Sequence, residues 1–433
     1  MRPTPVRSAV ALTVVVLVLT ASLAGATVQP PYASGDATTN TESSVLNTTT
    51  SSHPDSVVQP PNTTSYLRVP DTRLESYGTA EATVDVPGSA ASDGDRLQVR
   101  LAVETFESEF DRAVTSRNRT RTVQTVLSRF ESIIERARDR QQRALQRYSD
   151  GEISEQQLIR TIARVDATAR AIDTPNTADD ALGRVRSLAD APLDYSLGGD
   201  LVTRIENMEA QLVTLRGQLR QEMHDAVTGG SRAGMQVYIE TGDDDIVLAT
   251  IINNLYLRDS YIGPAFDPTN QIDEGQALSR LQDLYVWGFK PENYVSSPET
   301  SRVGNTSVYA GSTNHRHGRL DMYLDWNTQD AFRESQVKSL REAAPITPIS
   351  VTNGSVTAHV NGTHETGPME LTVTQNTTNA TLDGTVYVDG VRVGTTGDDG
   401  KLWFVDTRSD TEIRVETAQG NVTMFVFDSR LPG

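Results

Sequence analysis

Apolar residues recur every three or four positions through the first half of the chain. Val99, Val103, Phe106 and Phe110 show this spacing, and later stretches repeat it. The spacing places the apolar side chains on one face of an α-helix. Four or five such helices, joined by short loops, predict an antiparallel α-helical bundle over residues 95–230.

Capping residues predict where some of these helices begin. Ser154 and Gln157 have the spacing of a capping box, in which each side chain binds the backbone N–H of the other residue. Thr177 and Asp180 have the same spacing. A last, long helix is predicted from about Asp200 to Val227, before the glycine pair that ends it.

The pattern changes after residue 230. Two runs rich in β-branched residues flank an acidic turn and predict a hairpin, and amphipathic stretches predict two helices with two strands between them. Together these elements predict a small α+β module over residues 231–345. The elements are a hairpin of residues 236–241 and 246–257, a helix over 273–287, strands over 307–310 and 320–324, and a helix over 329–341.

Short runs of alternating apolar and polar residues fill the C-terminal part, residues 346–433, with turn signals such as Asp389-Gly390 between them. Such alternation is typical of strands with one buried face, and the regular turns predict a β-sandwich. The predicted fold class is multidomain α+β, with an N-terminal α-helical bundle, a small α+β module and a C-terminal all-β sandwich.

The first 26 residues have the pattern of a secretory signal peptide. Arg2 and Arg7 precede an apolar run, and Ala24-Gly25-Ala26 supplies small residues for cleavage before Thr27. The run is short for a spanning helix, which needs roughly 20 apolar residues. The alternative is an uncleaved signal anchor that tethers the protein to the membrane. Under both hypotheses the rest of the chain lies outside the cell.

Residues 27–94 are predicted to form a disordered stalk. As far as about residue 65 they are mainly Thr, Ser, Asn and Pro, which bury too little apolar surface to offset the entropy of ordering. Asn-x-Ser/Thr acceptor sites favour a glycosylated surface protein. The nine acceptors are Asn47, Asn62, Asn118, Asn305, Asn353, Asn361, Asn376, Asn379 and Asn421.

Composition narrows the class of protein. The net charge of −18 argues against a nucleic-acid partner, because phosphate binding needs a basic surface. Three lysines, Lys290, Lys338 and Lys401, stand against 36 arginines and many acids, a balance that resembles proteins of extreme halophiles. The alternative is a GC-rich genome that encodes Arg in place of Lys. The lack of cysteine excludes disulfides and thiolate chemistry.

Two stretches resemble known modules. The run Thr385–Gly400, with its Asp-Gly turn and Gly-Thr-Thr, resembles carboxypeptidase-regulatory-like and other Ig-like sandwich modules, which are accessory or structural. Residues 275–330, where Gly318-Arg319-Leu320-Asp321 opens a strand after a helix, resemble a PepSY-type module, although Gln329 replaces the glycine typical of that motif. The chain as a whole resembles secreted proteins of halophilic archaea, which implies no activity.

Two groups of residues suggest metal ligands. His315 and His317 would share a face of a strand, and Asp321 could complete a site; the alternative is a solvated polar edge. Asp243-Asp244-Asp245 and Asp398-Asp399-Gly400 could offer oxygens to Ca²⁺, but neither has the spacing of a calcium loop, and acidic turns are the simpler interpretation.

The helical stretch from Arg112 to Arg147 holds ten arginines and far fewer acids. This basic face could bind an acidic partner, such as an envelope or S-layer protein or an anionic glycan. The alternative is a solvated face in which acids such as Glu131, Glu135 and Asp139 pair with arginines on adjacent turns.

Catalytic motifs for a nucleophile elbow, a phosphate loop or a zinc helix do not occur in the sequence. We therefore assign no catalytic, cofactor-binding or metal residue, and we expect Trp287, Trp326 and Trp403 to anchor cores. The predicted function is that of a non-enzymatic exported cell-surface protein with a binding or envelope-assembly role. The alternatives are an extracellular sensor or protease-inhibitor-like module and, third, a hydrolase of unrecognised type.

The leader makes a first prediction. Because Ala24-Gly25-Ala26 presents small residues to a signal peptidase, the protein recovered from the native host should be extracellular and begin at Thr27. N-terminal sequencing by mass spectrometry of separated envelope and cytosol checks this. Full-length protein with Met1 intact in the cytosol would contradict it.

Overall fold

A computed structural model describes residues 56–174, 180–191, 195–230, 232, 234–263, 274–325, 327–342 and 347–427. The predicted signal peptide, the first part of the predicted stalk, Thr177 and Trp326 lie outside these ranges. The helices are α1 (Val86–Arg112), α2 (Ser116–Ser149), α3 (Glu155–Ile172), α4 (Ala181–Asp190), α5 (Gly199–Val213), α6 (Gln218–Val227), α7 (Glu274–Leu284) and α8 (Val286–Phe289).

The strands are short and pair antiparallel. The first ten are β1 (Val57–Val58), β2 (Tyr66–Leu67), β3 (Ser76–Ala82), β4 (Met235–Thr241), β5 (Ile246–Ile252), β6 (Leu255–Tyr261), β7 (Glu299–Arg302), β8 (Val308–His315), β9 (Gly318–Asp325) and β10 (Asp330–Ser339). The others are β11 (Thr347–Asn353), β12 (Val356–Gly362), β13 (Pro368–Gln375), β14 (Gly384–Val388), β15 (Val391–Thr395), β16 (Lys401–Val405), β17 (Thr411–Thr417) and β18 (Gly420–Val426).

An eight-stranded sheet in the order β3-β4-β5-β6-β10-β9-β8-β7 holds the other layers together. Helices α3 and α6 pack on one face, where residues such as Leu158, Met223 and Leu248 share a core. The β2 segment and α7 cover part of the other face, around Tyr285 and Leu320. The sheet is therefore buried on both sides over its central strands.

Helices α1 to α5 share a second apolar core, which includes the predicted stripe residues Val99, Phe106 and Phe110. The C-terminal end of α2 and the N-terminal half of α3 leave this core and join the core of the sheet. An independent helical bundle is therefore not confirmed, because the helices and the sheet share buried surface. Among the described residues, no helix is long and apolar enough to cross a membrane.

The C-terminal strands form two four-stranded sheets, β11-β12-β13-β16 and β15-β14-β17-β18. Alternate residues such as Val386, Val388, Ile413 and Val415 are buried between them. The predicted β-sandwich is confirmed, with β11 and β15 as strands that the sequence pattern did not predict. The Asp389-Gly390 turn has positive φ at both residues, as a tight hairpin turn requires.

The predicted long helix over 200–227 is two helices in the structure. Gly217 lies between them, where its N–H donates to Asp166 Oδ1 (2.9 Å) and its carbonyl accepts from Arg170 (2.7 Å). The carbonyl of Arg216 accepts from Arg333 on β10 (2.7 Å). These tertiary hydrogen bonds replace helical ones. Helix propensity depends on local sequence, so it could not predict this break in the helix.

The helix predicted over 329–341 is wrong, because these residues form β10 in the middle of the sheet. Glu334, Gln336 and Lys338 are buried on one face of that strand. Polar residues at buried positions hide the alternation of a strand, so the sequence resembles an amphipathic helix. The strand predicted over 246–257 is also wrong, since Asn253 and Asn254 form a turn with positive φ between β5 and β6.

The predicted stalk is shorter than 27–94, since the described part of that range forms β1, β2, β3 and the start of α1. Tyr66 and Leu67 are fully buried, and β3 pairs with β4 along its whole length. Pro87 lies in the first turn of α1, where its missing N–H costs no hydrogen bond. The small residues that follow Pro87 form no apolar stripe, so the sequence pattern did not predict this first part of α1.

The predicted capping box of α3 is present, with Ser154 and Gln157 bonded as expected. At α4 the cap is Asp180 itself, which accepts from the N–H of Gly183 (2.8 Å). The sequence pattern predicted Asp180 as the residue three positions after the cap. In the structure Asp180 is itself the N-cap of α4. A carboxylate at this position also interacts favourably with the helix dipole.

Gly217 provides a prediction about stability. A Cβ at this position would overlap Asp259 Oδ2 and crowd Arg333, so Gly217→Ala must displace a buried ion pair. We expect a loss of about 2–3 kcal/mol in the free energy of unfolding, measured by urea denaturation.

Gly94→Ala is the matched control, since Gly94 lies within α1 with open space around its Cα. It should raise stability by about 0.5–1 kcal/mol, because alanine loses less backbone entropy in a helix. Equal effects of the two substitutions would contradict the role of the buried pair.

Candidate functional site

His315 and His317 lie at the tight turn between β8 and β9, and both are buried. The N–H of His317 donates to Nδ1 of His315 (3.2 Å), and the rings pack on Trp287 at 5.5 and 4.7 Å between centroids. Burial lowers the pKa of His315 to about 3 and that of His317 to about 4, with Lys338 adding to both shifts. Both rings are therefore neutral in the physiological range.

Asp321 does not complete a site with these histidines. Asp321 lies opposite Ser312 in the pairing of β8 and β9, and Ser312 is three residues before His315 on the same strand. An odd separation places the side chains of Asp321 and His315 on opposite faces of the sheet. Its carboxylate binds Arg319 at 2.8 Å instead. Across the described ranges, no group of three or more histidine and acidic side chains is placed to hold a metal ion.

The two acidic turns have structural roles. Asp245 is buried, accepts from the N–H of Gly263 (2.8 Å) and pairs with Arg73 (3.2 Å). Burial raises its pKa to about 6, and Arg73 opposes that shift. Asp399 accepts from the N–H of Lys401 at the turn before β16 (3.1 Å). These contacts fit the interpretation as turns and give no calcium loop.

The arginines of α2 fall into two groups. Towards the C-terminal end they pair within the protein: Arg140 with Asp95 (3.3 Å), Arg143 with Asp139 (3.8 Å) and Arg147 with Glu152 (3.1 Å). Asp95 on α1 also binds Arg164 (2.7 Å), and although burial opposes its ionisation, these cations lower its pKa. The Arg143–Asp139 pair is of the kind that the alternative hypothesis predicted, whereas Arg140 and Arg164 link α2 and α3 to α1 through Asp95.

Arg121, Arg129 and Arg136 form the second group, which is exposed on one side of α2 and makes no ion pair with any described residue. They are seven or eight residues apart, so they lie above one another on the helix. They line a groove of about 910 Å³ between α1 and α2. We call this feature the α1–α2 groove.

The α1–α2 groove combines an apolar floor with a basic wall. Leu101, Ala102 and Ile133 contribute apolar surface, and Leu101 is 64% exposed. None of the described residues that line the groove is acidic, although the chain as a whole has a net charge of −18. An apolar strip beside unpaired guanidinium groups can bind an anionic, partly apolar surface.

A buried ionic cluster joins the C-terminal sandwich to the central sheet. Arg408 binds Glu240 on β4 (3.0 Å), Glu365 (3.0 Å) and Asp71 (2.6 Å). Arg68 also binds Glu365 (2.8 Å). The sequence pattern gave no sign of this cluster, because its members come from four distant segments.

Trp403, expected in a core, is partly buried on β16 and packs with Tyr238, Ala249 and Tyr256 between the sandwich and the sheet. Trp287 is half-buried beside the two histidines, and the guanidinium of Arg316 lies 5.2 Å from its ring. Neither tryptophan is fully buried: Trp403 packs against the edge of a core cluster, and Trp287 belongs to no core cluster of the described residues, so the expected role as core anchors is not confirmed.

The fold and these clusters define a multidomain α+β protein that ends in an Ig-like β-sandwich. Residues 347–424 match an archaeal fibronectin-III type-like domain, which confirms the Ig-like resemblance at this coarse level. Residues 237–344 match a family of unknown function, DUF7094. No curated protein and no solved structure matches the chain.

Residues 6–232 match a third model, a domain of unknown function, DUF7096. Since this match covers more than half of the 433 residues, the chain belongs to the DUF7096 family. The boundary between the DUF7096 and DUF7094 matches falls next to β4, yet β3 and β4 pair in one sheet. In this chain the two matched regions therefore form one structural unit.

The Arg408 cluster predicts a contrast between buried and exposed ion pairs. Arg408→Met leaves Glu240 buried without its cation and Glu365 with Arg68 alone, and it should cost about 3–5 kcal/mol of unfolding free energy. Chemical denaturation of the full chain measures the change.

The control is Arg147→Met, since Arg147 and Glu152 are both more than half exposed. It should cost less than about 1 kcal/mol, because water screens an exposed pair. Similar costs for the two variants would show that the Arg408 pairs are not buried in solution.

Proposed function

We propose that this chain is a non-enzymatic, exported cell-surface protein of a halophilic archaeon, and that its α1–α2 groove binds an acidic component of the cell envelope. The C-terminal sandwich then acts as a spacer that presents the helical region. Export rests on the leader before Thr27, and halophily rests on the excess of acids and the preference for arginine over lysine.

The observation that carries the binding proposal is the concentration of unpaired arginines in one groove. The chain has 57 acidic residues, yet Arg121, Arg129 and Arg136 make no ion pair with any acid that the structure describes. In an acidic protein, unpaired cations on one face attract an anionic partner. High salt screens charge pairs and weakens their attraction. The exposed Leu101 adds an apolar contact that this screening does not weaken.

Surface glycans are part of this proposal. Of the eight acceptor asparagines in the described ranges, seven are exposed and Asn361 is half-buried. Exposure is what an oligosaccharide transferase needs of its acceptor. Asn118 lies in the first turn of α2, at one end of the surface that carries the groove.

Charge reversal tests the groove. The triple variant Arg121→Glu, Arg129→Glu and Arg136→Glu should reduce the fraction of protein retained on the cell surface at least about tenfold, since each reversed charge opposes an anionic partner. Retention is measured by quantifying the protein in envelope and medium fractions.

A control triple, Arg143→Glu, Arg341→Glu and Arg392→Glu, makes the same change in net charge at exposed positions outside the groove. It should leave retention unchanged. If both triples lose retention equally, overall charge and not the groove holds the protein. Protease treatment of the envelope beforehand distinguishes a protein partner, which is lost, from an anionic glycan, which remains.

A further inference from the structure

Lys338 is a buried amine without a hydrogen-bond partner. It lies on β10 and is 5% exposed, and its Nζ contacts no acceptor among the described residues. The other two lysines are different: Lys290 is exposed, and Lys401 binds Glu370 at 2.9 Å. An unpaired buried ammonium costs several kcal/mol, so its retention calls for a physical explanation.

The register of the sheet places a glycine and a histidine beside this amine. Lys338 lies opposite Gly318 on β9, and Gly318 lies opposite His315 on β8, so the three positions form one row on one face. Glycine contributes no side chain to that row. Lys338 and His315 are therefore about 10 Å apart at Cα, two strand spacings.

His315 supplies a second hydrogen-bond donor without a partner. Its Nδ1 accepts from the N–H of His317, which assigns the proton of the neutral ring to Nε2. Nε2 is buried and has no partner among the described residues. Two unpartnered donors, an amine and an imidazole N–H, thus flank the position of Gly318.

Neighbouring acids are not available to these donors. Glu334, two residues along β10, already accepts from Leu67 N (2.8 Å), Tyr285 Oη (2.9 Å) and Gln336 Nε2 (2.7 Å). On this face of β6 and β10 the cations Lys338 and Arg258 stand against the single carboxylate of Glu334. Glu240 on β4 and Glu334 both interact with Arg258, so neither acid gives Lys338 a hydrogen-bond partner of its own.

The region is closed from both sides. His364, in the loop between β12 and β13, stacks on Tyr66 at 4.7 Å and meets Tyr256 edge-on. Nδ1 of His364 donates to the carbonyl oxygen of Glu365 (2.9 Å), which fixes the ring and leaves its Nε2 without a partner among the described residues. On the other side Trp287 covers the two histidines of the β8–β9 turn. Lys338, His315 and His364 are each 5% exposed or less.

We propose that Lys338 and His315, on either side of Gly318, form a binding site for a small monovalent anion of the size of chloride. The ammonium of Lys338 supplies the charge, and Nε2–H of His315 supplies a second donor. The proposal is independent of the α1–α2 groove, which lies on the helices and involves none of these residues.

Protonation of Lys338 controls this site. Burial lowers the pKa of Lys338 to about 7, with Glu334 opposing the shift and Arg258 adding to it. Burial also lowers the pKa of His364 well below its ordinary value, as it does for His315 and His317, so these rings stay neutral as Lys338 titrates. The anion should therefore bind below pH 7 and be lost as the pH rises and the amine deprotonates, and bound anion should raise the pKa of Lys338.

Thermal unfolding of the full chain tests the site. We compare equal concentrations of sodium chloride and sodium gluconate, whose anion is too large to enter, at about pH 6 and about pH 8.5. At the lower pH chloride should raise Tm by about 2–4 °C over gluconate, since it binds the folded state. At the higher pH the difference should fall by at least about half.

Two variants separate the site from general salt effects. Lys338→Met keeps the length of the side chain and should abolish the difference between chloride and gluconate at low pH, whereas Lys290→Met should retain it. An equal difference in both variants and in the unmodified chain would overturn the proposal. A crystal grown with bromide at low pH should show anomalous density beside Nζ of Lys338, and a water there instead would also overturn it.

Discussion

Charged side chains occupy both faces of β6 and β10, in the middle of a sheet that water does not reach. On the helix face Asp259 is held between Arg220 (3.7 Å) and Arg333, all three almost completely buried. On the other face Arg258 donates to Thr366 of the sandwich and to the carbonyl of Leu67. A buried charge is tolerated only with close partners, so each of these residues requires a specific layer above it.

This constraint explains why the layers are attached to each other. Helices α5 and α6 must break where Gly217 meets Asp166, because a continuous helix would bury these charges without partners. Burial raises the pKa of Asp166 and lowers that of Arg220 to about 10, which is the cost the pairing has to offset. The sandwich is attached in the same way through Arg408. Buried ion pairs thus specify the arrangement of layers more than they add to stability.

Sequence patterns predicted the elements whose buried faces are apolar. The stripe of α3 with its Ser154 cap and the alternating strands of the sandwich follow from local rules. The patterns failed where the interior is polar: β10 resembles a helix because Glu334 and Lys338 point inward. The α1–α2 groove was foreseen only as an arginine-rich stretch, since pairing by Asp95 and other distant acids decides which arginines are free. The Arg408 cluster and the surroundings of Lys338 depend on segments far apart in the chain, which no local pattern records.

Strand β3 has a consequence for the order of assembly. Its partner β4 follows about 150 residues later, after all six N-terminal helices. Contacts between such distant segments form late, because a long loop must close first. A chain emerging from its N-terminus therefore presents β3 as an unpaired edge while the helices are already able to form. The sandwich, whose strands pair with near neighbours, can close quickly, but it can dock only after the sheet is complete.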